Sequence, residues 1–250
     1  MKPLSLLVTA AAILASAACN ADQGNSAAAA ADSPVTATPV AAPDNGDWST
    51  IVSQTPADGF LMGNPGAKVK LVEFGSMTCP HCADFDETGV KPLIDNYVKK
   101  GLVSFEFRNF VRDPYDLAAS LIARCGGTAS FFGLTRALYA DQAGWTAKLQ
   151  AADPAAMQAL QSQPPQQQFK AIAELAGFPA FAAMRGVPRT KTDACLADPA
   201  GASQLVEMNS DAIANYNVPG TPTFLINNEV AKGATDWKTL EPAIKTALNG

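Results

Sequence analysis

Cys79 and Cys82 stand three positions apart, with Pro80 and His81 between them. Two thiols at that spacing can close into a disulfide or open to a dithiol, which is the chemistry of thiol–disulfide exchange. Pro80 suits the first turn of a helix, where a missing N–H is not needed. A thiol at a helix N-terminus meets free backbone N–H groups and the positive end of the helix dipole, and both favour the thiolate. His81, the single histidine of the chain, can add a donor or a positive charge. On this reading Cys79 is the exposed nucleophile and Cys82 the buried resolving thiol. A zinc site is the competing use of Cys-x-x-Cys, but it needs two more Cys or His ligands at similar spacing. Cys19, Cys125 and Cys195 are isolated, and no Met cluster points to copper. Neither a metal nor an organic cofactor is expected.

The dithiol has to be positioned by what flanks it. Residues 69–74 are an apolar run that reads as a short buried strand, broken at Gly75 and Ser76. Residues 83–100 carry apolar side chains at helical spacing. Gly89 and Pro92 should bend or break that helix, and Gly101 should end it. Val103, Phe105 and Phe107 alternate with Ser104, Glu106 and Arg108, giving a second strand and a parallel crossover. Upstream, residues 48–54 are expected as a short lead-in helix and residues 60–63 as a brief strand. Glu73 sits inside the apolar strand. An acid there is expensive to place without a role, unless the strand leaves it exposed at a sheet edge.

Glu-Phe-x-x-x-x-Cys-Pro-His-Cys (73–82) resembles the DsbA-like, thioredoxin-fold disulfide oxidoreductases, and the resemblance runs from about Phe60 to the C-terminus. Gly-Asn-Pro-x-Ala-x-Val (63–69) is similar to the same family. The implied fold is α/β: a thioredoxin fold with an inserted α-helical domain. Residues 115–202 accordingly read as helix after helix, interrupting the unit. The stripe Phe-x-x-Leu-x-x-Ala-Leu-Tyr-x-x-Gln-x-x-Trp (131–145) is similar to a pattern in that insert and is read as core, with no chemistry assigned. Residues 205–216 resume the unit. Val-x-Gly-Thr-Pro-Thr-Phe (218–224) then resembles the family's cis-proline loop, which implies Pro222 as the cis residue and Thr221 as the backbone partner of an extended substrate. Asn227 and Asn228 mark a hairpin turn, and residues 237–248 the closing helix. In relatives an acid at the position of Glu73 lies beneath the dithiol and assists proton transfer to the buried cysteine.

Hydrophobic content of 48% supports a proper core, and a net charge of −5 with no basic cluster gives no hint of nucleic-acid binding. Lys2, the apolar residues 4–14 and the small residues 15–18 read as an export signal. Cys19 directly after it suggests lipidation, although Ser16 stands where Leu is usual; ordinary cleavage is the alternative. Residues 19–47 lack an apolar period and read as a disordered linker. The remaining divisions are 48–112, first part of the thioredoxin fold; 113–203, the inserted helical domain; and 204–250, its second part. In an exported chain, Cys125 and Cys195 are expected to form a structural disulfide, with two buried free thiols as the alternative.

The expected function is a periplasmic dithiol oxidase that introduces disulfides into unfolded or partly folded exported proteins. The resemblance implies a DsbB-like membrane redox partner. It also favours a monomer, since there is no room for the dimerisation domain of the isomerase relatives. Thr221 before the proline resembles the isomerase branch more than the oxidases, so a reductase or isomerase remains the alternative. A non-catalytic lipoprotein that binds metal or a partner is the third reading.

Overall fold

The apolar run leading to Cys79 forms the centre of a six-stranded sheet in this computed structural model, which describes residues 34–250. The expected export signal, Cys19 and the first part of the linker lie outside the described residues. Strand β1 is Val52–Gln54, β2 Phe60–Met62, β3 Val69–Gly75, β4 Val103–Asn109, β5 Thr223–Ile226 and β6 Glu229–Val230. Their order across the sheet is β1-β2-β4-β3-β5-β6. Only β3 and β4 are parallel; every other neighbouring pair is antiparallel. Asn227 and Asn228 both have positive φ, 50° and 73°. That is the conformation a two-residue hairpin needs.

From Cys79 the chain continues as α1 (Pro80–Phe85), a π-type segment (Asp86–Val90), α2 (Lys91–Leu93) and a second π-type segment (Ile94–Val98). The expected break is thus a widening. Pro92 has no N–H to offer the carbonyl one turn back, and the helix takes wide turns on both sides of it. Gly89 is required by packing: a Cβ there would sit 2.5 Å from the Phe85 ring and 3.1 Å from Trp237 Cβ. Gly101, with φ +67°, ends the helix.

The insert comprises α3 (Pro114–Arg124), α4 (Phe131–Ala140), α5 (Gln142–Gln150), α6 (Pro154–Gln161), α7 (Pro165–Ala176), α8 (Phe178–Ala183) and α9 (Arg189–Ala197). It shares one core with the sheet. Phe131 stacks on Phe60 of β2 with ring centroids 3.9 Å apart and lies 5.7 Å from Phe107 of β4, while Phe132 meets Phe105 at 5.8 Å. Burying each such ring contributes roughly 1.5–3 kcal/mol. A disulfide joins Cys125, just after α3, to Cys195 in α9, with Cα atoms 5.8 Å apart. The helix that resumes the sheet unit, α10 (Pro199–Tyr216), starts earlier than residue 205, because Asp198 accepts hydrogen bonds from the N–H groups of Ala200 and Gly201. The closing helix is α11 (Trp237–Asn249).

One expectation needs correcting. Residues 48–54 are not a helix: a 3₁₀ turn, Trp48–Thr50, leads into β1. A seven-residue isolated helix is marginal, whereas β1 gains ladder hydrogen bonds from β2. The polar positions that alternate with the apolar ones in β4 do not face solvent. Ser104 and Glu106 are buried, because α10 covers that side of the sheet. The Glu106 carboxylate is matched internally. Arg108 Nε donates to Glu106 Oε1 at 2.8 Å, Thr55 Oγ1 donates to the same oxygen at 2.7 Å, and the guanidinium lies over the Phe74 and Tyr216 rings.

Candidate active site

β3 ends at Gly75, and a tight turn brings Cys79 to the N-cap of α1 with Pro80 at its first position. The N–H groups of His81 and Cys82 lie at the start of this helix, near enough to Cys79 to favour its thiolate. Cys79 Sγ lies 3.1 Å from the carbonyl oxygen of Thr221, across the cis Thr221–Pro222 peptide. The Cys82 thiol, donating to Cys79, is the largest influence on its acidity. Burial opposes it, and the Thr221 hydroxyl and the two backbone N–H groups reinforce it, leaving the Cys79 pKa pulled down to about 5. The Thr221 hydroxyl makes no hydrogen bond of ordinary geometry among the described residues, and it acts on Cys79 by proximity. Cys82 is fully buried, and its thiol is pushed up by that burial, then by its hydrogen bond to Cys79 and the nearby Glu73 and Cys79 charges. Both cysteines are free, so the site is in its dithiol state.

Two details differ from the sequence reading. Cys79 is not exposed: 2% of its surface is accessible, because the cis-proline loop closes over it. His81 does not face the sulfurs with its ring. Its side chain is 79% exposed, with Nδ1 3.8 Å from Asp84 Oδ2, and it serves Cys79 through its backbone N–H. A groove of about 530 Å³ runs beside the thiol, lined by His81, Asp84, Thr221, Pro222, Thr235 and Asp236.

Glu73 is central in the sheet rather than at an edge, paired with Phe107 on one side and Phe224 on the other. It is 2% exposed, and Oε1 has no hydrogen-bond partner among the described residues. Burial holds its pKa well above the usual carboxylate range, with the charges of Asp86 and Cys79 adding to the effect. Asp86, on the first π-type segment, is itself raised by burial and held back by Arg136, whose Nε lies 3.5 Å from Oδ1.

The insert also reaches the site, with residues to which the sequence reading gave no role. Asp116 of α3 is fully buried and accepts from Ser76 Oγ at 2.6 Å, Met77 N–H at 2.8 Å and Arg112 N–H at 3.0 Å. Burial raises its pKa to about 6 against the pull of those three hydrogen bonds. Tyr139 Oη donates to the Ser76 carbonyl at 3.1 Å, and Gln142 Nε2 to the carbonyls of Met77 (2.7 Å) and Cys79 (3.0 Å). Tyr139 and Gln142 belong to the aromatic stripe read as core. Their polar ends were the available signal, since a buried Tyr or Gln must find partners. Asp116 follows the helix cap Asp113 by three residues and is indistinguishable in sequence from an ordinary first-turn acid.

Among the described residues no group of three or more His, Cys, Asp or Glu side chains is arranged to hold a metal ion. Among them, too, no helix is long and apolar enough to cross a membrane.

A family model described as thioredoxin matches residues 55–246. A crystal structure of a protein-disulfide isomerase from Novosphingobium aromaticivorans is 39% identical, covering 76% of this chain and 97% of that one at a TM-score of 0.71. Alpha-DsbA1 from Wolbachia pipientis shares the fold at 20% identity and a TM-score of 0.62, over 78% of this chain and 92% of that one. A putative protein-disulfide oxidoreductase of Rickettsia bellii is 36% identical over 75 residues, which is 30% of this chain and 29% of the relative's length. The match over nearly the whole described sheet and insert, around a Cys-Pro-His-Cys at a helix N-terminus, places the chain in the thioredoxin family.

Proposed function

We propose that this chain is a dithiol oxidase that introduces disulfides into exported proteins in the periplasm, using Cys79 and Cys82. The observation that carries the reading is the asymmetry of the two sulfurs: Cys79 at the helix N-terminus beside Thr221, Cys82 fully buried beneath it. In the oxidised enzyme a client thiolate attacks Cys79, the Cys79–Cys82 bond breaks, and Cys82 leaves with the electron pair. Burial makes that thiolate unfavourable, so Cys82 takes a proton, for which the neutral Glu73 carboxyl is the candidate donor. A second client thiolate then attacks the client sulfur of the mixed disulfide and releases Cys79 as a stabilised thiolate. The client leaves oxidised and the enzyme holds the two electrons. Thr221 and Pro222 are the proposed backbone contact for the client, along the groove they line. Return to the disulfide requires an electron acceptor, for which a DsbB-like membrane quinone reductase is the proposed partner.

An isomerase is the second reading. Thr221 before the cis proline favours it, as does the description of the Novosphingobium structure as a protein-disulfide isomerase. Equilibration of the purified protein with glutathione, together with oxidation of a reduced, unfolded client, tests the oxidase reading against a reductase, and rearrangement of a scrambled, fully oxidised client tests it against the isomerase. The oxidase reading expects stoichiometric client oxidation and a potential above that of a thioredoxin-like reductase, which is about −270 mV. Equilibration as a strong reductant would sink it.

A further inference from the structure

We infer that Gln142 and Asp116, both in the helical insert, are positioning residues that set the reactivity of Cys79 by clamping the turn that carries it. The inference rests on Cys79 being the exchanging thiol. The turn between β3 and α1 is closed by one backbone hydrogen bond of its own, from the Cys79 N–H to the Ser76 carbonyl at 3.1 Å. Met77, at its middle, is fully buried. Its N–H is taken by Asp116 Oδ1 at 2.8 Å and its carbonyl by Gln142 Nε2 at 2.7 Å, with no other partner for either among the described residues. Both backbone polar groups of a buried residue are therefore satisfied only by side chains of the insert, and a buried amide strongly resists losing its partners. Asp116 also holds Ser76 Oγ at 2.6 Å, on the residue before. Gln142 reaches one step further, to the Cys79 carbonyl at 3.0 Å, an oxygen that also accepts the Ala83 N–H of α1.

The consequence follows from geometry. Stabilisation of a thiolate at a helix N-cap depends on the aim of the first N–H groups at the sulfur, and hydrogen bonds weaken steeply with misalignment. Cys79 is the N-cap. Releasing the Met77 and Cys79 carbonyls lets its φ and ψ drift, and the His81 and Cys82 N–H groups lose their aim. The insert is then part of the redox centre, and not only a lid over the sheet.

The decisive variant is Gln142→Ala, because it removes two donors without changing charge and Gln142 is partly exposed. The thiolate absorbance of Cys79 is titrated in the reduced protein, and the equilibrium constant with glutathione is measured. The expected result is a Cys79 pKa higher by at least half a unit and an equilibrium shifted at least threefold toward the oxidised form, beyond the lower melting that both redox forms share once the buried Met77 carbonyl loses its partner. Asp116→Asn separates geometry from charge. It should shift the equilibrium the same way if Asp116 acts as a clamp, and the opposite way, toward the reduced form, if it acts only as a nearby negative charge. An unmoved pKa and equilibrium in Gln142→Ala overturn the inference. So does rapid hydrogen exchange of the Met77 amide in the folded wild type, a measurement independent of any variant. A wild type that fails to exchange with glutathione at all would overturn the functional reading instead.

Discussion

A carboxyl group under a dithiol has two ways to matter: it can move a proton, or it can destabilise the fold at the pH where it is forced to ionise. Glu73 is placed to do both. Its folded-state pKa is raised by burial, so the neutral form is the one the fold accommodates. A group shifted in that direction is harmless below its unfolded pKa, about 4.3, and the protein loses stability as pH rises from there through the folded value. Glu73→Gln keeps the shape and removes the ionisation. Urea denaturation from pH 4 to 8 should therefore show the variant gaining on the wild type as pH rises. In stopped-flow exchange the same variant should slow the step that releases Cys82, by about 100-fold if the carboxyl is its proton donor, the low end for general acid catalysis. An unchanged rate with the expected gain in stability would leave Glu73 a structural acid.

At the level of elements, the end of β3 is where packing and chemistry compete for space. A Cβ on Gly75 would come within 2.5 Å of the Phe107 ring and 3.1 Å of Glu73 Oε1. Gly75→Ala should accordingly overpack the sheet and cost about 1–3 kcal/mol, seen as a lower urea midpoint. Because the intruding methyl also presses on Glu73, activity should fall by more than a melting shift explains. The insert has a different weak point. The Cys125–Cys195 bridge spans 70 residues and ties the end of α3, which carries Asp116, to α9. Closing a loop of that size stabilises by up to about 4 kcal/mol in the chain-entropy model. Replacing both cysteines by Ala should lower stability toward that figure without touching the dithiol. A loss under 1 kcal/mol would mean that the packing of α3 against α4 and α7 already does the work.

For the whole molecule, redox state and stability are linked through Cys79. Its folded-state pKa is depressed to about 5, so the thiolate stabilises the reduced form. That contribution is complete above the unfolded thiol value of about 8.5 and is lost as pH falls through the folded value. The oxidised form has no thiolate to stabilise, and a disulfide across two intervening residues closes too small a loop to add much. The reduced protein should therefore outlast the oxidised one in denaturant near pH 7, with the gap narrowing to nothing below about pH 5. An oxidised form that is the more stable at pH 7 would contradict the assignment of Cys79 as a stabilised thiolate, and with it the reason to expect an oxidant.

Much of this protein is local in origin and so was legible in its sequence. Pro80 at a helix start, the apolar strand before it, the Asn227–Asn228 turn and the helical stretches of the insert each follow from the conformational preferences of a few adjacent residues. The Cys79–Cys82 chemistry was legible for the same reason, since both sulfurs and the N–H groups that favour one of them lie within four residues. Burial and long-range hydrogen bonding were not. Nothing within reach of Cys79 along the chain says that a loop 142 residues away would cover it, or that Thr221 would lend it a carbonyl. The alternation in β4 marks a strand, but the sequence cannot show that α10 lies on its polar side and buries Ser104 and Glu106. Asp116, Tyr139 and Gln142 looked like a first-turn acid and a core stripe, as their own helices require of them. Their second role exists only because the insert folds back on the turn at Met77, where a buried backbone has no partners of its own. Local propensity sets which elements form; what each polar atom pairs with is decided when they pack.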